Sequence, residues 1–188
     1  EILIGLVGSE MCKETVIGEG VFENFTSLRA IDVPDGVEII EKDAFFGCKK
    51  LKAINLPKTV HEIGDGAFAF CNKLRHIILP EGIETIGSYA FAECVSLKTI
   101  IIPQSCQKIG TDAFLNCDNL EYVILLNPNL EVYSLKYMID TGVPNNCVIV
   151  KGNKRIKGDK MIKFYFIERV EKDTKKTSHR KLQNFTGM

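Results

Sequence analysis

Seven cysteines and three histidines are the residues of this chain that could carry nucleophilic or metal chemistry. Zinc or dithiol redox work needs close spacing such as CxxC, and a helical metal site needs a pair such as HxxxH; neither spacing occurs. His61, His76 and His179 have no evident nucleophile partner, and no HExxH or GxSxG frames a hydrolytic site. Gly8-Ser9-Glu10-Met11-Cys12-Lys13-Glu14-Thr15 faintly echoes a phosphate-binding loop. It lacks the glycine before the lysine, and Glu14 stands where Ser or Thr would ligate Mg²⁺. The sequence therefore predicts no catalytic residue, no metal site and no cofactor.

What the cysteines do show is a rhythm. Cys48, Cys71, Cys94 and Cys117 lie 23 residues apart, each three residues after a phenylalanine of the series Phe22, Phe45, Phe68, Phe91, Phe114. A residue type locked to a repeat phase serves the repeat, so these four are expected to be small, buried, reduced thiols packed against the adjacent coil. Thiols in register point in parallel, which opposes disulfides between neighbouring coils. The odd total leaves at least one cysteine free or paired between chains.

Further columns share the period: Ile17, Ile40, Ile63, Ile86, Ile109; Leu28, Leu51, Leu74, Leu97, Leu120; and Ile31, Ile54, Ile77, Ile100, Val123. Five blocks tile residues 14–128 without insertion or deletion. Self-similarity at a short fixed period predicts a solenoid whose units bury their apolar faces against one another. Within a block, Leu74 to Pro80 reads as a short strand that Pro80 ends, because proline has no N–H for a ladder. A short helical or irregular turn then presents Ala67, Phe68 and Cys71 to the core. Gly18, Gly64, Gly87 and Gly110, each after the column isoleucine, are expected where the backbone takes a positive φ. Glu41 breaks that glycine column.

The phrase I-G-x-x-A-F-x-x-C-x-x-L-x-x-I-x-L-P, carried by Ile63 to Pro80 and again by Ile86 to Pro103, resembles the BspA-like (Treponema-type) leucine-rich repeat. It recurs in phase five times over residues 14–128, departing in the first block, where Phe25 holds the cysteine position. The resemblance implies a β-rich leucine-rich-repeat solenoid with a parallel sheet on its concave side and short turns on its convex side. It also implies a cell-surface or secreted protein used for adhesion or for binding a host or extracellular matrix protein. An intracellular location stays open on the sequence alone.

The ends should cap the stack. Residues 1–13 break the phase, and Ile2 to Val7 is expected as a capping strand. That segment is too short to span a bilayer and lacks the flanks of a secretory signal, while a start at Glu1 leaves an upstream leader open. Residues 129–167 read as a degenerate sixth repeat with capping strands: helical periodicity over Asn129 to Asp140, a strand at Cys147 to Val150, and another at Met161 to Ile167 pairing with it as a hairpin. Residues 168–188 read as a basic, disordered tail. Residues 1–150 carry 12 Lys/Arg against 20 Asp/Glu and residues 151–188 carry 12 against 4, so a net charge of zero hides an acidic body and a basic appendage. No run of 18 apolar residues offers a membrane span.

Function should lie on the outward positions of the strands, which alternate with the core positions. Stacked by repeat, one outward column is Ala30, Ala53, His76, Thr99, Tyr122 and the next is Asp32, Asn55, Ile78, Ile101, Ile124. Three isoleucines in a row, edged by His76, Thr99 and Tyr122, make a candidate protein-binding strip. The competing reading is that β-branched residues suit strands anyway and that the tail or a neighbouring domain covers them. A second column, Arg29, Lys52, Arg75 and Lys98, closes with Glu121 and stacks four cations. An acidic partner, a sulfated glycan or another polyanion would neutralise them; alternatively, long stems cover apolar surface while their heads stay in water. The tail's charge suits nucleic acid or an anionic membrane in principle, but it carries no recognition motif, which disfavours nucleic acid as a partner.

Overall fold

The structure is a computed structural model and describes residues 12–13, 15–127, 130, 142–144, 147–151, 154–157 and 160–162. The 23-residue period becomes a coil of a parallel β-solenoid. Two strand positions per coil generate its sheets. The longer sheet is built from two-residue strands: β1 (Cys12–Lys13), then the five that hold the column isoleucines, β2 (Val16–Ile17), β4 (Ile39–Ile40), β6 (Glu62–Ile63), β7 (Thr85–Ile86) and β9 (Lys108–Ile109). They lie in the order β1-β2-β4-β6-β7-β9, parallel except where β1 folds back on β2. Their register pairs Ile17 with Ile40, Ile40 with Ile63, Ile63 with Ile86 and Ile86 with Ile109.

The other strand position is the one that the sequence predicts, and it is not continuous. β3 (Ala30–Asp32) pairs with β5 (Ala53–Asn55), and β8 (Thr99–Ile102) pairs with β10 (Tyr122–Leu125), both in parallel. Between β5 and β8 the third coil, from Leu74 to Pro80, contributes no strand to either sheet. The inward alternation nevertheless holds there: Leu74, Ile77 and Leu79 are buried. Beyond β10 the sheet continues through β11 (Val148–Lys151), β12 (Lys154–Lys157) and β13 (Lys160–Ile162). β11 is parallel to β10, whereas β12 and β13 are antiparallel additions. The expected pairing of the 147–150 strand with a strand at 161–167 is thus corrected, because β12 lies between them. Its signal was present: Gly152-Asn153 and Gly158-Asp159 separate the three strands by two residues each, the spacing of a tight hairpin. Ile2 to Val7, nearly all of Asn129 to Asp140, and the tail from 168 lie outside the described residues.

The turns are not helical. Each makes backbone bonds in two directions by turns. In the second coil the N–H groups of Asp43, Phe45 and Gly47 donate to the carbonyls of Asp65, Ala67 and Ala69 one coil on, at 2.8–2.9 Å. The N–H groups of Phe46 and Cys48 donate back three residues, to Asp43 and Phe45. This zigzag requires a left-handed residue at each end of the turn. One column, Gly20, Asp43, Gly66, Tyr89 and Asp112, has φ between 53° and 64°, and a second, Asn24, Gly47, Phe70, Glu93 and Asn116, has φ between 55° and 68°.

The glycines after the column isoleucine have a different task. Gly64, Gly87 and Gly110 do not take a positive φ. A Cβ on Gly87 would lie 2.5 Å from Asp65 N and from Gly64 C, so the preceding coil's backbone fills the space where a side chain would stand. The expectation of positive φ is corrected to one of close approach. Gly87→Ala is expected to lower stability by about 2–3 kcal/mol, since a rigid backbone rather than a side chain must yield; urea unfolding checks this. At the break in the column, the Glu41 carboxylate accepts the Glu19 N–H at 2.9 Å.

The core is a set of columns. Phe22, Phe45, Phe68, Phe91 and Phe114 stack ring on ring, with centroids 5.0–5.8 Å apart and planes within 8° of parallel. Cys48, Cys71, Cys94 and Cys117 are buried free thiols. Each donates to the carbonyl of the phenylalanine in the preceding coil, at 3.0–3.3 Å.

Candidate functional site

The strand side carries the candidate residues on β3, β5, the third coil, β8 and β10. Alternation aims Ile31, Ile54, Ile77, Ile100 and Val123 inward, and all are buried. Their neighbours face outward. At the N-terminal end the outward pair is polar, and the Asn55 amide donates to the Asp32 carboxylate. At the third coil the surface turns apolar, with Ile78 73% exposed and His76 exposed beside it. At the fourth coil Thr99 and Ile101 are half-buried, paired in register with Tyr122 and Ile124 of β10.

Tyr122 and Ile124 are not part of the exposed strip. They are only 8% and 7% accessible. β10 is an interior strand flanked by β8 and β11, and all four of its residues are buried, so the chain itself covers its outward face. The accessible candidates are therefore His76, Ile78, Thr99 and Ile101. Sequence alternation tells which side of a strand a residue takes, but not whether something lies over that side.

The basic ladder Arg29, Lys52, Arg75 and Lys98 is exposed throughout. Its last member is neutralised: Lys98 Nζ lies 3.5 Å from the Glu121 carboxylate. The repeat of the backbone sets the spacing of the rest; Lys52 N donates to Arg29 O at 2.8 Å. His61 sits half-buried just ahead of β6, on a different part of the coil from His76. Among the described residues no three His, Cys, Asp or Glu side chains gather as a metal site. No helix among them is long and apolar enough to cross a membrane.

Burial governs the thiols. It pushes Cys48 and Cys106 up to about 11, and Cys117 and Cys147 up to about 12. Cys71 and Cys94 are pushed well above the usual thiol range by the same desolvation. Thiols of this kind are poor nucleophiles at neutral pH, because the thiolate is the reactive form.

The repeat pattern can now be set beside known proteins. The BspA-type leucine-rich repeat region matches residues 15–138 in six copies, well over half of the chain. The chain belongs to this family. Among solved structures, a leucine-rich repeat protein of Treponema pallidum is 35% identical, with a TM-score of 0.59, and the match covers 59% of this chain and 52% of that one. A leucine-rich repeat protein of Bacteroides ovatus is 32% identical with a TM-score of 0.56, over 72% of this chain and 37% of that one. A leucine-rich cell surface protein of Faecalibacterium prausnitzii is 38% identical with a TM-score of 0.50, over 51% of this chain and 25% of that one. This BspA-type chain thus spans about half or less of the length of the solved proteins it matches. No curated protein matches it. The family is one of repeat proteins that generally mediate protein interactions or adhesion and are not typically catalytic.

Proposed function

We propose that this chain is a non-catalytic recognition module that binds a protein partner on its strand face, the side expected to be concave. The observation that carries the reading is Ile78, the most exposed large apolar residue described, at 73%. It stands on the third coil, which contributes no strand to the sheets, with His76 beside it and Ile101 and Thr99 next along the axis. An exposed β-branched residue surrounded by polar neighbours is the form of a small interface anchor. The likeness to a leucine-rich cell surface protein of F. prausnitzii supports a place at the cell surface, and the family's general role in protein interaction or adhesion fits a host or extracellular matrix protein as the partner.

Ile78→Asp/Ile101→Asp tests this. Ile78→Asp alone should keep the thermal unfolding midpoint within a few degrees, whereas half-buried Ile101 makes a folding check of the double variant necessary; a true anchor lost to a charge should weaken capture by about 30-fold or more. Equal retention of every partner by wild type and variant would leave the strip a structural surface. Ile124→Asp is unsuitable, because Ile124 is buried and a charge there would unfold the coil.

Two other readings have an observation each. A spacer segment is favoured by the covering of Tyr122 and Ile124 within the chain. An anion-binding surface is favoured by exposed Arg29, Lys52 and Arg75, and it would show binding to a sulfated glycan that falls steeply with salt.

A further inference from the structure

A second surface lies on the turn side of the stack, away from the strand strip. The two left-handed columns hold ten positions, and seven of them carry Gly, Asn or Asp, the residues that take this conformation most easily. The other three are Phe70 (φ 60°), Tyr89 (φ 58°) and Glu93 (φ 61°). Each costs about 1 kcal/mol or more of backbone strain that the repeat avoids elsewhere by using smaller residues. All three line one half-open groove of about 450 Å³. Phe70 is 38% and Tyr89 46% exposed, and Phe46 supports Phe70 with ring centroids 5.2 Å apart at 60°.

The charge around the groove is one-sided. Lys42 is its one cation and is already engaged, 3.3 Å from Glu19 and 3.8 Å from Asp43. Asp65 and Glu93 accept from Ser88 N and Asn116 Nδ2, both at 2.6 Å, and neither forms a close ion pair among the described residues; Asp65 feels Lys42 only weakly, behind Glu19 and Asp43. Two exposed aromatic rings beside Asp43, Asp65 and Glu93, with Lys42 as the one cation among them, leave the groove net negative, so it would repel an anion and attract a cation to both the ring faces and the carboxylates. A guanidinium suits this setting best, since it stacks flat on an aromatic ring while its edge pairs with a carboxylate.

We propose that the groove formed by Phe46, Phe70, Tyr89, Asp65 and Glu93 is a docking site for an arginine-bearing peptide segment of a partner protein. It is separate from the strand strip, and a stack that used both would engage partners on two sides.

The left-handed backbone offers a clean test. Phe70→Gly/Tyr89→Gly removes both rings and places glycine where φ is positive, so the relief of strain offsets much of the lost packing and the fold should be retained. Isotope-labelled full chain is titrated at low salt with acetyl-Gly-Arg-Gly-Arg-Gly-amide, and with its citrulline counterpart, which keeps the shape and lacks the charge. The expected result is shifts of the Asp65, Phe70, Tyr89 and Glu93 amides with the arginine peptide and at least tenfold weaker binding of the citrulline peptide. The double glycine variant should lose the response, Glu93→Gln should weaken it about tenfold, and Ile78→Asp should leave it unchanged. Equal binding of the two peptides, or an unaltered response in a folded double glycine variant, overturns the proposal. Binding seen only after deletion of residues 168–188 also overturns it, by making the chain's own basic segment the occupant.

Discussion

Phe68→Ala is expected to destabilise the chain by about 3–5 kcal/mol, a large part of the stability of a domain this size. Phe68 is fully buried in the central coil and stacks on Phe45 at 5.3 Å and on Phe91 at 5.4 Å. Its removal leaves a void bounded by two rings, each held by its own backbone ladder, and such a site collapses poorly. In a solenoid the loss also has a direction. Coils communicate only with neighbours, so a weak central interface uncouples the two halves of the stack. Urea unfolding of Phe68→Ala should therefore show a lower midpoint together with a shallower slope or a second transition. Phe22→Ala provides the contrast: Phe22 stacks on a single described ring of the column, Phe45, and should cost less and keep the transition single. Phe68→Leu should restore most of the loss, since volume outweighs the stacking increment of about 0.5–1.5 kcal/mol per aromatic pair. Equal costs for Phe22→Ala and Phe68→Ala would show that the stack unfolds as one body and that nearest-neighbour coupling does not describe it.

The columns that build this core were legible because repetition averages out local ambiguity. One column isoleucine says little; five in phase place Ile17, Ile40, Ile63, Ile86 and Ile109 in the interior, and each is buried. What repetition did not reveal was the sheet those isoleucines form. A strand of two residues is too short to display the alternation by which strands are recognised. The left-handed columns were obscured for the opposite reason. Gly20, Asp43, Gly66 and Asp112 would have shown them, but Tyr89 interrupts one series as Phe70 and Glu93 interrupt the other. Residues kept at a cost in local strain conceal the rule they break, and here they mark a candidate site. On the strand face, sequence placed Ile78 and Ile124 at equivalent positions, and the structure separates them at 73% and 7% exposure. Burial at an outward position depends on what packs over it, which the 23-residue pattern does not encode.

Alkaline pH should unfold this protein over a narrow range, and its cysteines are the reason. Six described thiols are buried with pKa values raised by desolvation, four of them to about 11 or 12. In the unfolded chain a thiol ionises near its ordinary value of about 8.5. A raised folded-state value means that the native state holds the proton longer, so stability is intact below pH 8.5 and falls as pH rises towards the folded values. Within that window each thiol removes roughly 1.4 kcal/mol per pH unit. Several acting together should exhaust much of the stability of a single domain by about pH 10, at the onset of lysine and tyrosine deprotonation and well below that of arginine. Circular dichroism in a urea series from pH 8 to 11 measures the slope directly. Cys94→Ala separates this cause from general base sensitivity: it costs a packing contact and the 3.2 Å bond to Phe68 O at pH 7, yet it should make the decline above pH 9 shallower by one thiol's share. A thiol-reactive disulfide reagent at pH 8 gives the kinetic counterpart, with these six thiols silent until denaturant is added. Stability that stays flat to pH 11, or a slope that Cys94→Ala leaves unchanged, would mean that the thiolates find water or cations in the folded stack and that the column is less enclosed than its geometry indicates.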